Sequence, residues 1–193
     1  MKIILASGSP RRRELLRELG LNFEVYKPEV DETRKPDELP EELCFRLSRM
    51  KALNAAKIFE NSIIISADTI VVINSDILGK PKNREDTFRM LSELQGKWHE
   101  VLTGISVSMN DKIISHVEHT RVKFKALTEA EILEYIETGE SNDKAGAYAI
   151  QGKGALFIER IDGDFYNVVG LPLCVLGKML AEFGIMALNH HAH

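Results

Sequence analysis

The chain is 193 residues long with 44% hydrophobic and 28% charged side chains, enough apolar mass for a sizeable core and too much for a disordered protein. Lys and Arg total 25 against 29 Asp and Glu, and the resulting net charge of −4 gives no general attraction to nucleic acid or to anionic membranes, so any anion-binding surface has to be local. No apolar run approaches the roughly 20 residues of a spanning helix, and the opening run Ile3–Ala6 breaks too early for a signal peptide, so a cytoplasmic protein is expected. Cys44 and Cys174, far apart and each in apolar sequence, suit buried free thiols in a reducing compartment better than a disulfide framework.

Ile3–Ala6 reads as a strand. Ser7-Gly8-Ser9-Pro10 then turns into a helix with Leu15, Leu16 and Leu19 on one face and Gly20 past its end; Ser9 is a suitable N-cap and Pro10 fits the first helical position. A second helix is expected from Pro40 to about Phe59, followed by a β-branched interior strand from Ile63 to Ile73 with a hairpin partner near Ile77-Leu78. Asn83 can cap a helix carrying Phe88, Leu91 and Leu94. Val101–Met109 and Lys112–Phe124 read as strands joined by a turn at Asn110-Asp111. Thr128 and Glu131 form a capping box for a helix that buries Ile132, Tyr135 and Ile136 and ends at Gly139. A strand over Ala155–Ile161 and a helix opening at Pro172, with Val175, Leu176, Met179 and Phe183, complete the chain. This irregular alternation predicts an α/β fold with a mixed twisted sheet flanked by helices. It forms one domain over residues 1–188, or two coupled lobes around a cleft, followed by a tail at 189–193 whose histidines suit a frayed end or cloning remnant better than a metal site.

Several residues break this structural pattern. Arg11-Arg12-Arg13 sits in the first turn of a helix, where the macrodipole disfavours cations by about 0.3–1 kcal/mol each. A phosphate would compensate, met by free N–H groups, the Ser7 and Ser9 hydroxyls and the guanidinium forks; splaying into water with pairing to Glu14 or Glu18 is the plainer alternative. No Gly-x-x-x-x-Gly-Lys-Ser/Thr spacing occurs, so this is not a P-loop. Asp68 interrupts a run fit for burial on both faces, which is costly for a carboxylate unless it is paired, bonded, metal-bound or facing water at a strand end. An ordinary carboxylate is a weak base near neutral pH, so catalysis there calls for a more basic environment or a divalent ion that acidifies water. Lys51 lies on the apolar stripe of Cys44 and Leu47 and either reaches a site or snorkels to solvent. Glu32 and Lys80 lie in polar loop sequence and would pass as solvated surface. Seven of the 13 glycines fall between Gly139 and Gly177, a density that fits backbone approaching a ligand or bends at sheet corners.

Taken together, Leu5-Ala6-Ser7-Gly8-Ser9-Pro10-Arg11-Arg12, Ser66-Ala67-Asp68-Thr69, Gly79-Lys80-Pro81, Thr103-Gly104, Asp143-Lys144-Ala145-Gly146-Ala147-Tyr148 with Ile150-Gln151-Gly152, and Val169-Gly170-Leu171-Pro172 resemble the Maf family of nucleotide pyrophosphatases, in order and over nearly the whole chain. The resemblance implies metal-dependent hydrolysis of a nucleoside triphosphate to the monophosphate and pyrophosphate, on a fold similar to inosine triphosphate pyrophosphatases. Family members are described as septum formation proteins and are commonly dimeric, so a homodimer is an expectation here. By the same likeness Ser7, Arg11 and Arg12 hold the triphosphate, Lys51 and Lys80 add cationic contacts, Asp68 is the proton acceptor, and Glu32 is a metal-associated carboxylate.

Arg11, Thr69 and Gln151 match the branch that acts on dTTP and UTP, whereas the branch resembling 7-methyl-GTP pyrophosphatases carries Trp, Gln and Glu there. A glutamine amide offers a donor and an acceptor to a pyrimidine edge, where a carboxylate offers acceptors only. The implied cofactor is Mg²⁺ or Mn²⁺, held by Asp68 and Glu32 together with substrate oxygens. Two other readings stand beside this one: a nucleotide-binding regulator of cell division without hydrolysis, and the same chemistry on another base such as 7-methyl-GTP. Nucleic acid and membrane are not expected partners, since the arginine cluster is compact and the single tryptophan, Trp98, makes no stacking platform.

Overall fold

The computed structural model describes residues 1–186, so the expectations for residues 189–193 and for the domain end at 188 lie outside the described residues. It is a mixed α/β structure built on a seven-stranded sheet flanked by helices. Strand β1 (Ile3–Ala6) is buried at all four positions and pairs in parallel with β2 (Glu24–Tyr26) on one side and β3 (Ile63–Ile73) on the other. A strand with parallel neighbours on both edges is covered on both faces, which is why its sequence is continuously apolar rather than alternating.

Helix α1 (Pro10–Glu18) begins where expected, with Ser9 in extended backbone (φ −71°, ψ 120°) and Pro10 in the first turn, but the Ser9 side chain makes no capping bond. Its backbone N–H instead donates to Ser7 Oγ at 3.2 Å. Helix α2 (Pro40–Ala56) stops three residues short of Phe59, whose N–H turns back to the Ala55 carbonyl. Strand β3 has the bounds that its β-branched run predicts, and β4 (Asp76–Leu78) pairs with it antiparallel through Asn74 (φ 51°) and Ser75 (φ 71°), the left-handed pair of a tight hairpin.

Asn83 caps α3 (Arg84–Leu94), its side chain accepting from Asp86 N at 2.8 Å. Strand β5 (Trp98–Met109) starts three residues before Val101, and β6 (Lys112–Phe124) follows after Asn110 (φ 50°). The Thr128–Glu131 capping box opens α4 (Glu129–Glu137), which buries Ile132, Tyr135 and Ile136. The strand expected over Ala155–Ile161 is shifted. Residues Gly152–Phe157 form a 3-10 turn, and β7 (Ile158–Asp162) begins only after it, antiparallel to β6. The last helices are α5 (Phe165–Val169) and α6 (Leu173–Ala181), the latter capped at Pro172 and leaving Phe183 beyond its end.

Strand order in the sheet is β2-β1-β3-β5-β6-β7, with β4 on β3. The chain divides into two compact units, the first holding Met1–Asp68, Thr103–Glu118 and the residues from Gly170, the second Thr69–Leu102 and His119–Val169. In the first, Ile4, Ala6, Ala52, Ala55 and Ile64 form a core cluster with Tyr26 and Phe59 against it. Gly104 is required there because a Cβ would overlap the Cys44 carbonyl, so β5 and α2 meet backbone to backbone. In the second, His99, Phe124, Tyr148, Phe157 and Tyr135 form a chain of edge-to-face contacts with centroids 4.7–6.0 Å apart.

Cys44 is buried, but Cys174 is exposed, against the expectation of two buried thiols. On α6 it shares the outward face with Lys178, four residues on, while Leu176, Met179 and Leu180 face inward. No helix among the described residues is long and apolar enough to cross a membrane.

Candidate functional site

The turn after β1 is organised by one buried guanidinium. Arg12 Nε donates to the Gly170 carbonyl at 2.7 Å, and Nη1 donates to the Ala67 carbonyl at 2.9 Å and to Ser7 Oγ at 3.1 Å. Burial lowers its pKa to about 10, the charge of Asp68 opposing that shift, so it stays cationic at neutral pH. Ser7 is itself buried. The three arginines therefore separate: Arg12 points into the protein, and Arg11 and Arg13 are half-buried.

In the middle of β3, at the first of the two half-buried positions that interrupt its buried run, Asp68 Oδ1 accepts from Lys51 Nζ at 2.6 Å, and the same ammonium lies 2.7 Å from Glu32 Oε1. Lys51 does not snorkel; its side chain is 12% exposed and Asp68's 13%, whereas Glu32 is 59% exposed. Two of the three ammonium donors are thus committed to two carboxylates brought from different elements. Burial raises the neighbouring Cys44 thiol to about 12, with the charge of Asp68 adding to it, so this cysteine is no nucleophile at neutral pH.

The loop carrying Glu32 is clasped by a pair that the sequence did not flag. Arg46 on α2 donates to both oxygens of Glu38 at 2.5 and 2.8 Å and to the Thr33 carbonyl at 3.0 Å. Arg34 donates to the Glu38 carbonyl at 2.7 and 2.9 Å, and Lys35 N donates to Glu38 Oε2 at 3.0 Å. These bonds, Arg46 foremost, hold the Glu38 carboxyl down at about 2 against its burial. An eight-residue spacing across a loop and a helix carries no sequence signal, which is why periodicity missed it.

The second unit holds the remaining candidates. Thr69 is half-buried on β3, directly after Asp68, and Lys80 is exposed after β4. Gly146 N donates to the Gly79 carbonyl at 3.0 Å, which joins the Gly-Lys-Pro and Asp-Lys-Ala-Gly segments. Gln151 is exposed in extended backbone (φ −94°, ψ 153°) just before the 3-10 turn.

Among the described residues no group of three His, Cys, Asp or Glu side chains could hold a metal ion by itself. Glu32 and Asp68 nevertheless converge on one cationic centre, the Lys51 ammonium. Two carboxylates completed by phosphate oxygens are a donor set that suits a hard divalent cation.

The chain matches the family described as Maf-like protein over residues 2–183. It is 51% identical over 192 residues to the dTTP/UTP pyrophosphatase of Thermoanaerobacter pseudethanolicus, covering 97% of this chain and 100% of that protein. The dTTP/UTP pyrophosphatase of Acetivibrio thermocellus is 46% identical, with 98% of each chain covered, and that of Methanosarcina mazei is 51% identical, with 95% of each covered. Similarity to the solved structure of the Ham1 protein of Staphylococcus aureus amounts to 18% identity and a TM-score of 0.48, over 64% of this chain and 72% of that one.

Proposed function

The chain belongs to the family of Maf-like proteins, and we propose on that premise that it hydrolyses dTTP and UTP to the monophosphate and pyrophosphate, with Asp68 taking the proton of the attacking water. The observation that carries this reading is the Asp68–Lys51–Glu32 cluster beside Ala67, whose carbonyl is tied to the buried Arg12. A carboxylate bonded to an ammonium at 2.6 Å and only 13% exposed is fixed in orientation, which a base acting on one water requires.

Arg12 fixes the turn at Ser7 and the mid-strand stretch of β3 that presents Asp68. Arg11 and the third donor of Lys51 meet the triphosphate, and Lys80 adds a further cationic contact; charge developing on the leaving pyrophosphate is stabilised by these groups. A divalent ion held by Glu32, Asp68 and phosphate oxygens would supply further neutralisation of that charge. Thr69 and Gln151 select the base, the amide matching the donor and acceptor edge of a pyrimidine. The reaction belongs in the cytoplasm, and the exposed free thiol of Cys174 suits such a reducing compartment.

The test is pyrophosphate release from dTTP, UTP, CTP, GTP, ITP and 7-methyl-GTP with Mg²⁺ or Mn²⁺, with Asp68→Asn as control. Fast release from dTTP and UTP that the control lacks, with turnover down about a thousandfold or more and nucleotide affinity retained, is the expected result. Activity on another base overturns the roles of Thr69 and Gln151. Tight binding without hydrolysis of any nucleotide makes the chain a nucleotide-binding regulator instead. Sedimentation of the same preparation reads the homodimer.

A further inference from the structure

Gln151 is exposed, yet the backbone on both sides of it is tied to a single pair, the buried Tyr135 and the half-buried Glu140. Glu140 accepts from Lys153 N at 2.9 Å through Oε2, and from Gly154 N and the Tyr135 hydroxyl, each at 2.9 Å, through Oε1. The Tyr135 oxygen in turn accepts from Ala149 N at 3.2 Å. Three N–H groups, two residues before Gln151 and two and three after it, are therefore gathered by one tyrosine and one carboxylate.

Tyr135 is only 3% exposed on α4, and its ring is held edge to face against Phe157 at 4.9 Å, so the bracket is anchored in the core of its unit. Gly152 fits it doubly: its φ is 79°, and a Cβ there would overlap the Glu140 carboxylate. The bonds to Lys153 and Gly154 lie within the 3-10 turn Gly152–Phe157, after which β7 starts at Ile158.

We infer that Tyr135 and Glu140 are positioning residues for base selection, acting by fixing the backbone from which Gln151 projects. The inference rests on the proposed role of Gln151. A primary amide can turn end for end and serve either a uracil edge, with its carbonyl and N–H, or a cytosine edge, with its amino group and ring nitrogen. Discrimination between the two thus depends on where the amide is held, and a mobile turn would surrender it.

The experiment compares UTP with CTP in wild type, Tyr135→Phe, Glu140→Gln, Gln151→Ala and the Tyr135→Phe/Gln151→Ala double variant, reading kcat/KM and, without metal, the dissociation constants of non-hydrolysable UTP and CTP analogues. Expected is a loss of about tenfold in the UTP to CTP ratio in both bracket variants, carried mainly by KM for UTP, with no further loss when Tyr135→Phe is added to Gln151→Ala. A purely structural tie would lower the melting temperature and both nucleotides' rates together, and an unchanged ratio with that signature overturns the inference. If Gln151→Ala changes the ratio and the bracket variants do not, the inference alone fails; if Gln151→Ala changes nothing, the base-reading role fails and the inference falls with it. Should Glu140→Gln not fold, Tyr135→Phe decides, since it keeps the ring against Phe157.

Discussion

Arg12 donates from Nη1 to the carbonyl of Ala67 at 2.9 Å, so the residue immediately before Asp68 is held by the first turn of α1. The cation that a helix N-terminus should repel is accepted there because two carbonyls and a hydroxyl receive its N–H groups and Asp68 lies close by in charge.

Lysine cannot serve three acceptors arranged around a planar fork. Arg12→Lys is expected to lose about 3 kcal/mol of stability, read by urea denaturation, and to lower turnover with it. Arg11→Lys, at a half-buried position, is expected to cost about 0.5 kcal/mol or less; equal losses in the two variants would remove the structural distinction between them.

Glu32→Gln removes one of the two carboxylates on the Lys51 ammonium. The Mg²⁺ concentration for half-maximal pyrophosphate release is expected to rise about tenfold or more, with kcat falling less. An unchanged metal requirement would remove Glu32 from the metal set.

Acid stability separates two buried groups by pH window. Glu38 has a folded pKa of about 2 against an ordinary 4.5, so its stabilisation is present above pH 4.5 and is lost as pH falls toward 2. Burial lowers His99 from 6.5 to about 3; the unfolded chain takes up a proton that the folded one refuses, and stability declines between those values. Denaturation curves against pH should therefore flatten between 6.5 and 3 in His99→Gln and between 4.5 and 2 in Glu38→Gln, each variant being less stable than wild type at neutral pH.

Gly104→Ala drives a methyl group into the Cys44 carbonyl, and backbone on both sides has to move. A loss of about 3 kcal/mol is expected. Iodoacetamide labelling provides an independent check on the same region: Cys174 reacts in the native protein, whereas Cys44, buried with its thiol near 12, reacts only after unfolding. Native labelling of Cys44 in Gly104→Ala would show the α2 contact opened.

Much of the fold was legible because its signals are local. The β-branched run at Ile63–Ile73, the Thr128–Glu131 box and the Asn83 cap each act within a few residues, and each appears where expected. Strand β2 was not legible, being three residues long with no periodicity, nor was the 3-10 turn Gly152–Phe157 ahead of β7, part of whose backbone is held by the distant Glu140. Arg12 could have been placed: with Leu15 and Leu16 it falls at i, i+3 and i+4, so one helical face buries all three. Reading the arginines as a run of charge rather than by helical position hid this. The gathering of Glu32, Lys51 and Asp68 spans a loop, a helix and a strand, so no local pattern carries it; the family resemblance implied a shared site, and the fold adds the two contacts on the Lys51 ammonium.

The order in which the chain is synthesised bears on the discontinuous units. As it leaves the ribosome, its first 68 residues lack the 103–118 segment and everything from Gly170 onward that the first unit requires, while the second unit has all its residues once Val169 is made. The nascent chain thus holds Arg12 without the Gly170 carbonyl until residue 170 has been added. The unit that carries Asp68 has all its parts only after the unit that carries Gln151, and a chain stopped after α5 has an Arg12 guanidinium lacking one of its acceptors.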